Sequence, residues 1–418
     1  MNRFLDISLY FQKIGFAFRS LQSKNFRLFF YGQIVSLFGT FIQTIALGWL
    51  VYSLTNSAFY LGVIGFAGQI PALFLTPIAG VYADRLNRRK VLIAAQTLSM
   101  LMAFLMAGLY FSGHIKVWHI MIIAAINGMA LAFDTPFRHA FLLEMVGEKE
   151  LLQNAIALNS TLINSARFIG PMIGGIIIAL VGEGYCFLIN GLSFLAVIIA
   201  LFSMRVIPSN RGNEHGSVIR DLVEGFKYSF NFKPIRYLLI LIMITGFIGL
   251  PYQVFLPVFA RDILHGGSQM LGFLTGSMGA GALMGAFYLA SRKGICGMPR
   301  LILISAITFG LALMCFSMSI YPALSLAMMF FLGFGMIVQF AGTNTLIQSI
   351  VDEDKRGRVV ALYGMSFMGV TPLGSLLLGT ITPWAGVEYT LLVAGFILLI
   401  VAITFSRRLP VVKKEVCK

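Results

Sequence analysis

The sequence predicts an all-α membrane protein of twelve transmembrane helices, arranged as two pseudo-symmetric six-helix bundles. Three observations carry this. Only 11% of the residues are charged while 58% are hydrophobic, and the mean hydropathy is +0.87. A soluble chain carries about a quarter charged residues, so this one cannot cover a water-facing surface. The apolar runs exceed the roughly 18 residues that mark a helix spanning about 30 Å of hydrocarbon, and they lack the strict alternation of a barrel strand. Finally, the longest hydrophilic stretch, Arg205 to Arg236, divides the chain nearly in half, with six apolar runs on either side.

In chain order, residues 1–24 mix Phe4, Leu5, Ile7, Leu9, Phe11 and Ile14 with Arg3, Lys13 and Arg19. No small-residue cleavage site follows, so the segment reads as an interfacial amphipathic helix and not a signal peptide. The first bundle, 25–204, holds spans near Phe26–Leu54, Tyr60–Val81, Val91–Phe111, Trp118–Phe141, Gln153–Val181 and Tyr185–Met204. A cytoplasmic linker, 205–234, carries Pro208, Asn210, Gly212, Asn213 and Gly216, then a mixed-charge amphipathic stretch from Asp221 to Lys233. The second bundle, 235–405, holds spans near Ile235–Phe259, Met270–Ala290, Leu301–Ser319, Pro322–Ile350, Val359–Thr382 and Val387–Phe405. Residues 406–418 form a cytoplasmic tail. The halves echo one another: Leu61-Gly62 opens the second span and Leu271-Gly272 the eighth, each leading into a basic loop.

Charge sets the orientation. With both termini cytoplasmic, all but three of the 31 Lys and Arg lie on the cytoplasmic side; Lys116 and Arg261 fall outside and Arg167 within a span. This obeys the positive-inside rule, and the opposite topology is discarded. The net charge of +15 therefore belongs to loops facing anionic membrane lipids, and no nucleic-acid partner is expected. Cys186, Cys296 and Cys315 sit in apolar runs as small hydrophobes. There is no phosphate loop, no His/Cys metal set and no nucleophile triad, so no enzyme activity, catalytic residue, metal or cofactor is expected.

The loop after span two reads Gly80-Val-Tyr-Ala-Asp84-Arg85-Leu-Asn-Arg88-Arg89-Lys90. One carboxylate at a helix end among several cations makes a latch that can hold two bundles together, with Asp84 as its acidic half. The loop resembles the signature loop of the major facilitator superfamily in its Gly, Asp-Arg and Arg-Arg spacings. Asn87 departs from the Gly usual there, and both residues tolerate left-handed turns.

Span five contains Arg167-Phe-Ile-Gly170-Pro171-Met-Ile-Gly174-Gly175. Its Gly-Pro-x-x-Gly-Gly part resembles a motif of exporters and antiporters in that superfamily; physically, the glycines permit close helix approach and Pro171 bends the span. Arg167 lies about 14 residues into the span, roughly 20 Å at about 1.5 Å per residue, near the middle. Such a residue faces a cavity or a partner. It either binds an anionic or carbonyl-rich substrate or caps carbonyls released by Pro171.

Span four carries Asn127 and then Asp134-Thr-Pro-Phe-Arg138. Asp134 and Arg138, four apart, share a helical face near the cytoplasmic end. Three readings stand: a gate network joining them to Asp84 and to Arg356 or Arg358, a proton carrier at Asp134, and a static intrahelical pair. Gln33 and Gln43 on span one, Asn164 on span five, Gln253 on span seven, and Gln339 and Asn344 on span ten need polar partners in lipid and so face the bundle interior.

The resemblance covers Asn25 to Phe405. Phrases such as Asn25-Phe-Arg-Leu-Phe29, Thr135-Pro-Phe-Arg138 and Asn154-Ala-Ile-Ala-Leu-Asn159 are similar to the enterobactin-exporter-like and macrolide-efflux-like branch. It implies a monomeric alternating-access carrier of the bacterial inner membrane, exporting a siderophore or drug-like small molecule with protons as coupling ion. Arg85, Arg88, Arg89, Asp84, Asp134, Arg138, Arg356 and Arg358 would then form the gate. Arg167 and the polar residues of spans one, four, five, seven and ten would line the substrate cavity. A lysophospholipid carrier and a non-transporting scaffold or sensor are the rival readings.

Overall fold

The computed structural model describes residues 18–83, 85–205, 218–292 and 294–416. Among them, twelve helices are long and apolar enough to cross a membrane. The first six are α1 (Lys24–Thr55), α2 (Ala58–Tyr82), α3 (Arg88–Phe111), α4 (Val117–Val146), α5 (Lys149–Val181) and α6 (Glu183–Ser203). A shorter helix, α7 (Val218–Asn231), follows in the linker. The second six are α8 (Lys233–Ile263), α9 (Gly267–Ser291), α10 (Met298–Ser317), α11 (Pro322–Ile350), α12 (Glu353–Ala385) and α13 (Val387–Val416). Most of the expected N-terminal amphipathic segment, and Asp84, lie outside the described residues.

Connections alternate between two ends. The terminal end carries the α2–α3, α4–α5 and α11–α12 turns and α7; the far end carries the α1–α2, α5–α6, α8–α9 and α12–α13 turns. Within the first bundle α1 packs on α5 and α6, α2 on α4, and α3 on α4 and α6; within the second α9 packs on α11, and α10 on α11 and α13. Between bundles the main interfaces are α5 with α9 and α2 with α12. Exchanging the halves turns one of these interfaces into the other, the signature of a two-fold repeat.

Helix ends differ from the expected ones for local reasons. The third helix begins at Arg88 instead of Val91 because the Asn87 side chain accepts a hydrogen bond from the Lys90 N–H at 3.1 Å. Asn87 has φ −66° and ψ 105°, so it serves as an N-cap and not as a left-handed turn. The last helix runs to Val416 through Pro410 instead of stopping at Phe405. Cys296 lies in the turn before α10, not in an apolar span, while Cys186 is buried on α6.

Two helices of the second bundle are irregular. The eighth loosens into wide turns at Thr245–Gly249 and Phe259–Ile263 around the tighter Leu250–Phe255, and the twelfth loosens at Met365–Gly369. Pro251, Pro257 and Pro372 explain this, since each removes an N–H and crowds the preceding turn. The loosened stretches meet: the Thr371 hydroxyl lies 3.0 Å from the Gly246 carbonyl and 2.6 Å from that of Phe367. In lipid a freed carbonyl needs such a donor.

Candidate functional site

At the far end the bundles touch through paired glycines. A Cβ placed on Gly175 of α5 would lie 2.6 Å from the Ser268 carbonyl oxygen and 3.0 Å from the Gly272 Cα on α9. Symmetrically, a Cβ on Gly379 of α12 would lie 3.0 Å from the Gly62 Cα on α2. Backbones this close admit no side chain, which is how small residues let helices pack in a membrane. The Leu-Gly echo in the sequence thus marks equivalent contacts in the two halves. The Ser268 hydroxyl adds a hydrogen bond to the Gly175 carbonyl at 3.1 Å.

The rest of the Gly-Pro stretch is divided between neighbours. Gly170 and Gly174 receive α1, with Phe41 Cβ 2.7 Å and Ile42 Cα 3.2 Å from their would-be Cβ atoms. The Pro171 carbonyl faces Gly272 across the bundle interface.

Polar groups latch the same end. The Tyr52 hydroxyl of α1 donates to the Asp262 carboxylate of α8. The neighbouring Arg261 donates to Asn56 Oδ1 at 2.9 Å and stands over the Tyr52 ring at 5.8 Å. Asn56 holds the left-handed α1–α2 turn with φ 47°. Tyr52 and Asp262 escaped the sequence analysis because span seven was expected to end at Phe259; the Arg-Asp pair just after that apolar run was the available signal. Tyr52→Phe and Asp262→Asn are expected to raise, several-fold, the labelling by a membrane-impermeant maleimide of a cysteine placed at Thr382, which lines the far-end cleft of about 350 Å³. Unchanged labelling in a cysteine-free background would show that the latch does not hold this end.

The cross-bundle hydrogen bonds found among the described residues all lie at the far end. Toward the terminal end, α4 and α5 form no comparable interface with α11 or with the first half of α12. The cleft between the bundles therefore widens toward the termini.

Among the described residues, the expected gate charges at that end meet local partners. Asp134 Oδ2 lies 2.7 Å from the Arg138 guanidinium, and its Oδ1 accepts from Gln96 of α3 at 2.7 Å. Arg358 pairs with Glu224 of the linker helix at 2.9 Å, and Arg356 lies 3.9 Å from Glu353. Neither reaches Asp134, because α7 packs on the start of α12 and engages Arg358 there. Arg88 is buried, donating to Glu144 at 2.6 Å and to the Ala83 and Ala140 carbonyls. Arg89 donates to the Phe202 carbonyl at 2.7 Å, and Arg85 is exposed. Asp134 is not alone among span carboxylates: Glu144, Glu183 and Asp262 also lie in spans.

Of the expected cavity residues, several have hydrogen-bond partners on their own or a neighbouring helix. Gln43 accepts from Asn190 of α6 at 2.7 Å, Asn164 donates to the Ser160 carbonyl one turn back, and Asn344 accepts from Gln348 on its own helix. Gln339 is fully buried and donates to Thr245 at 2.9 Å, while Gln253 donates to the Met336 sulfur at 3.8 Å. Gln33 Nε2 and Asn127 Oδ1 are buried without a hydrogen-bond partner among the described residues. Arg167 is half-buried between the bundles, its guanidinium carbon 5.9 Å from the Phe41 ring centre on α1 and within electrostatic reach of Tyr252 on α8.

Known proteins resemble this chain along nearly all its length. A family model described as transmembrane secretion effector matches residues 16–417. The staphyloferrin A transporter of Staphylococcus aureus is 27% identical, the match covering 91% of this chain and 95% of the relative. The multidrug efflux pump Tap of Mycolicibacterium fortuitum is 26% identical over 87% of this chain and 91% of its own. Among solved structures, the nucleoside transporter NupG superposes with a TM-score of 0.72 at 15% identity, covering 92% of this chain and 98% of that one.

Proposed function

This chain belongs to the transmembrane secretion effector family of major facilitator transporters, and from that premise we propose that it exports a siderophore or a drug-like molecule from the bacterial cytoplasm, in exchange for protons. It is a multi-pass membrane transporter and not an enzyme.

The observation that carries the reading is one-sided closure. The Gly175–Gly272 and Gly62–Gly379 contacts shut the far end of a cleft that contains Arg167 and widens toward the other end. The Lys/Arg bias of the loops supports a cytoplasmic location for that wider end. A cytoplasmic substrate enters there; rocking the bodies 25–204 and 235–405 about the site, as a monomer, would part the far-end glycines and bring Asp84, Arg85, Arg88, Arg89, Arg356 and Arg358 toward the opposite bundle. Among the span carboxylates, Asp262 is held by a partner across the bundles. Asp134, Glu144 and Glu183 have partners within the first bundle. Of these four, Asp262 alone loses a cross-bundle partner when the far end parts, which supports reading it as the coupling carboxylate. The siderophore or drug class is taken from the two relatives.

Deleting the gene and growing the strain in iron-poor medium is expected to lower iron-chelating activity in the culture supernatant, with restoration by the wild-type gene. Unchanged secretion would remove siderophore export as the principal role and leave drug efflux, read as lost resistance, in its place.

A further inference from the structure

Resting on the export reading, we propose that the transported molecule carries a planar or tetrahedral oxyanion, a carboxylate or a phosphate, which Arg167 holds midway through the membrane.

Among the described residues, other charged groups carried into the spans have partners at hand. Asp134 meets Arg138 and Gln96, Glu144 meets Arg88, Glu183 accepts from Tyr110 at 2.7 Å, Asp262 accepts from Tyr52, and Arg261 donates to Asn56. Arg167 stands apart: among the described residues it has no carboxylate partner and no hydrogen bond to a protein acceptor; the Phe41 ring lies beside it and Tyr252 is within electrostatic reach. It is also not a cap for Pro171. The carbonyl that Pro171 releases is Arg167's own, and it turns toward α9, 3.1 Å from where a Cβ on Gly279 would sit.

An uncompensated guanidinium at this depth is costly, so its presence implies a compensating group for part of the cycle. The Phe41 ring, 5.9 Å from the guanidinium carbon, offers its π face and no hydrogen-bond acceptor, so the guanidinium edge, with five N–H donors in a fixed fork, has no acceptor among the described residues. That edge matches an oxyanion in two-point geometry. A neutral substrate would leave the charge uncompensated, and a cationic one would add repulsion. Arg167 belongs to α5, Phe41 to α1 and Tyr252 to α8, so the anion would sit where both bundles contribute and would be passed between them as they rock.

The same oxyanion chemistry has two sources, a small polycarboxylate or the headgroup of a single-chain phospholipid, and the test separates them. Thermal unfolding of the full-length protein in neutral detergent would be followed with citrate, with lysophosphatidylglycerol and with tetraphenylphosphonium. Citrate or lysophosphatidylglycerol is expected to raise the midpoint with concentration, because binding to the native state alone stabilises it. The affinity so read is expected to fall about thirtyfold in Arg167→Gln, and to recover in part in Arg167→Lys, which restores the charge without the fork. A response to citrate assigns the anion to small molecules, and one to the lysolipid assigns it to lipids. Stabilisation by neither anion, equal responses of wild type and Arg167→Gln, or a stronger response to tetraphenylphosphonium would overturn the proposal. Were Arg167→Gln not to fold, wild type against Arg167→Lys and the cation arm would decide. Binding is read here without transport, so this result stands apart from the secretion assay that tests export.

Discussion

Replacing Gly175 by leucine is expected to abolish export while leaving the protein folded and inserted. The atoms nearest a Cβ at this position are backbone atoms of the other bundle: the Ser268 carbonyl oxygen at 2.6 Å, the Gly272 Cα at 3.0 Å and the Gly272 nitrogen at 3.2 Å. Backbone of a packed helix cannot rotate aside as a side chain does, so α5 and α9 must separate. Overpacking a tight contact costs about 1–3 kcal/mol. Since the contact joins two bodies that part during the cycle, that cost falls on the far-end-closed state, and every 1.4 kcal/mol shifts the balance about tenfold toward the open one. Gly62→Leu should act in the same way through the symmetric contact. Gly108→Ala is the control, because nothing lies within 4 Å of a Cβ there. The measurement pairs a transport assay with maleimide labelling of a cysteine at Thr382. Labelling that stays low in Gly175→Leu would mean that the glycine contact does not close the far end.

Arg88→Ala is expected to cost stability more than any other charge removal at the terminal end. The side chain is 7% exposed and its partner Glu144 is 14% exposed. Its Nε also holds the Ala83 carbonyl at 2.7 Å, bracing the end of α2 against the start of α3. Removing one member of a buried pair leaves the other charged without compensation, typically costing about 3–5 kcal/mol. The double variant Arg88→Met with Glu144→Leu removes both charges and should recover much of that loss. Thermal unfolding in detergent checks it: the single variant should melt several degrees lower, and the double variant should lie between it and wild type. If the single variant melts like wild type, the pair is not structural and the sequence-based reading of Arg88 as a gate charge gains ground.

Much of the architecture was available from residue order. Scarcity of charge required a membrane, run lengths counted the helices, and the Lys/Arg bias predicted an orientation. The depth of Arg167 followed from counting residues into its span. Hydropathy and helical rise are properties of one segment at a time, so a linear reading captures them. Partner choice is not of that kind. Asp134 was weighed between a gate, a proton carrier and a static pair, and its second partner, Gln96, is 38 positions away on another helix. The latch between Tyr52 and Asp262 joins residues 210 positions apart. Arg358 was expected at a gate, and its partner Glu224 comes from the linker helix, more than 130 positions away. The Gly-Pro stretch read as one packing motif, yet Gly170 and Gly174 serve α1 while Gly175 serves α9. By itself, the sequence determined which segments cross the membrane, because lipid selects each helix by its own composition. Only the tertiary structure decided which polar and small residues meet, because those meetings depend on the relative placement of helices far apart in the chain, to which local composition is blind.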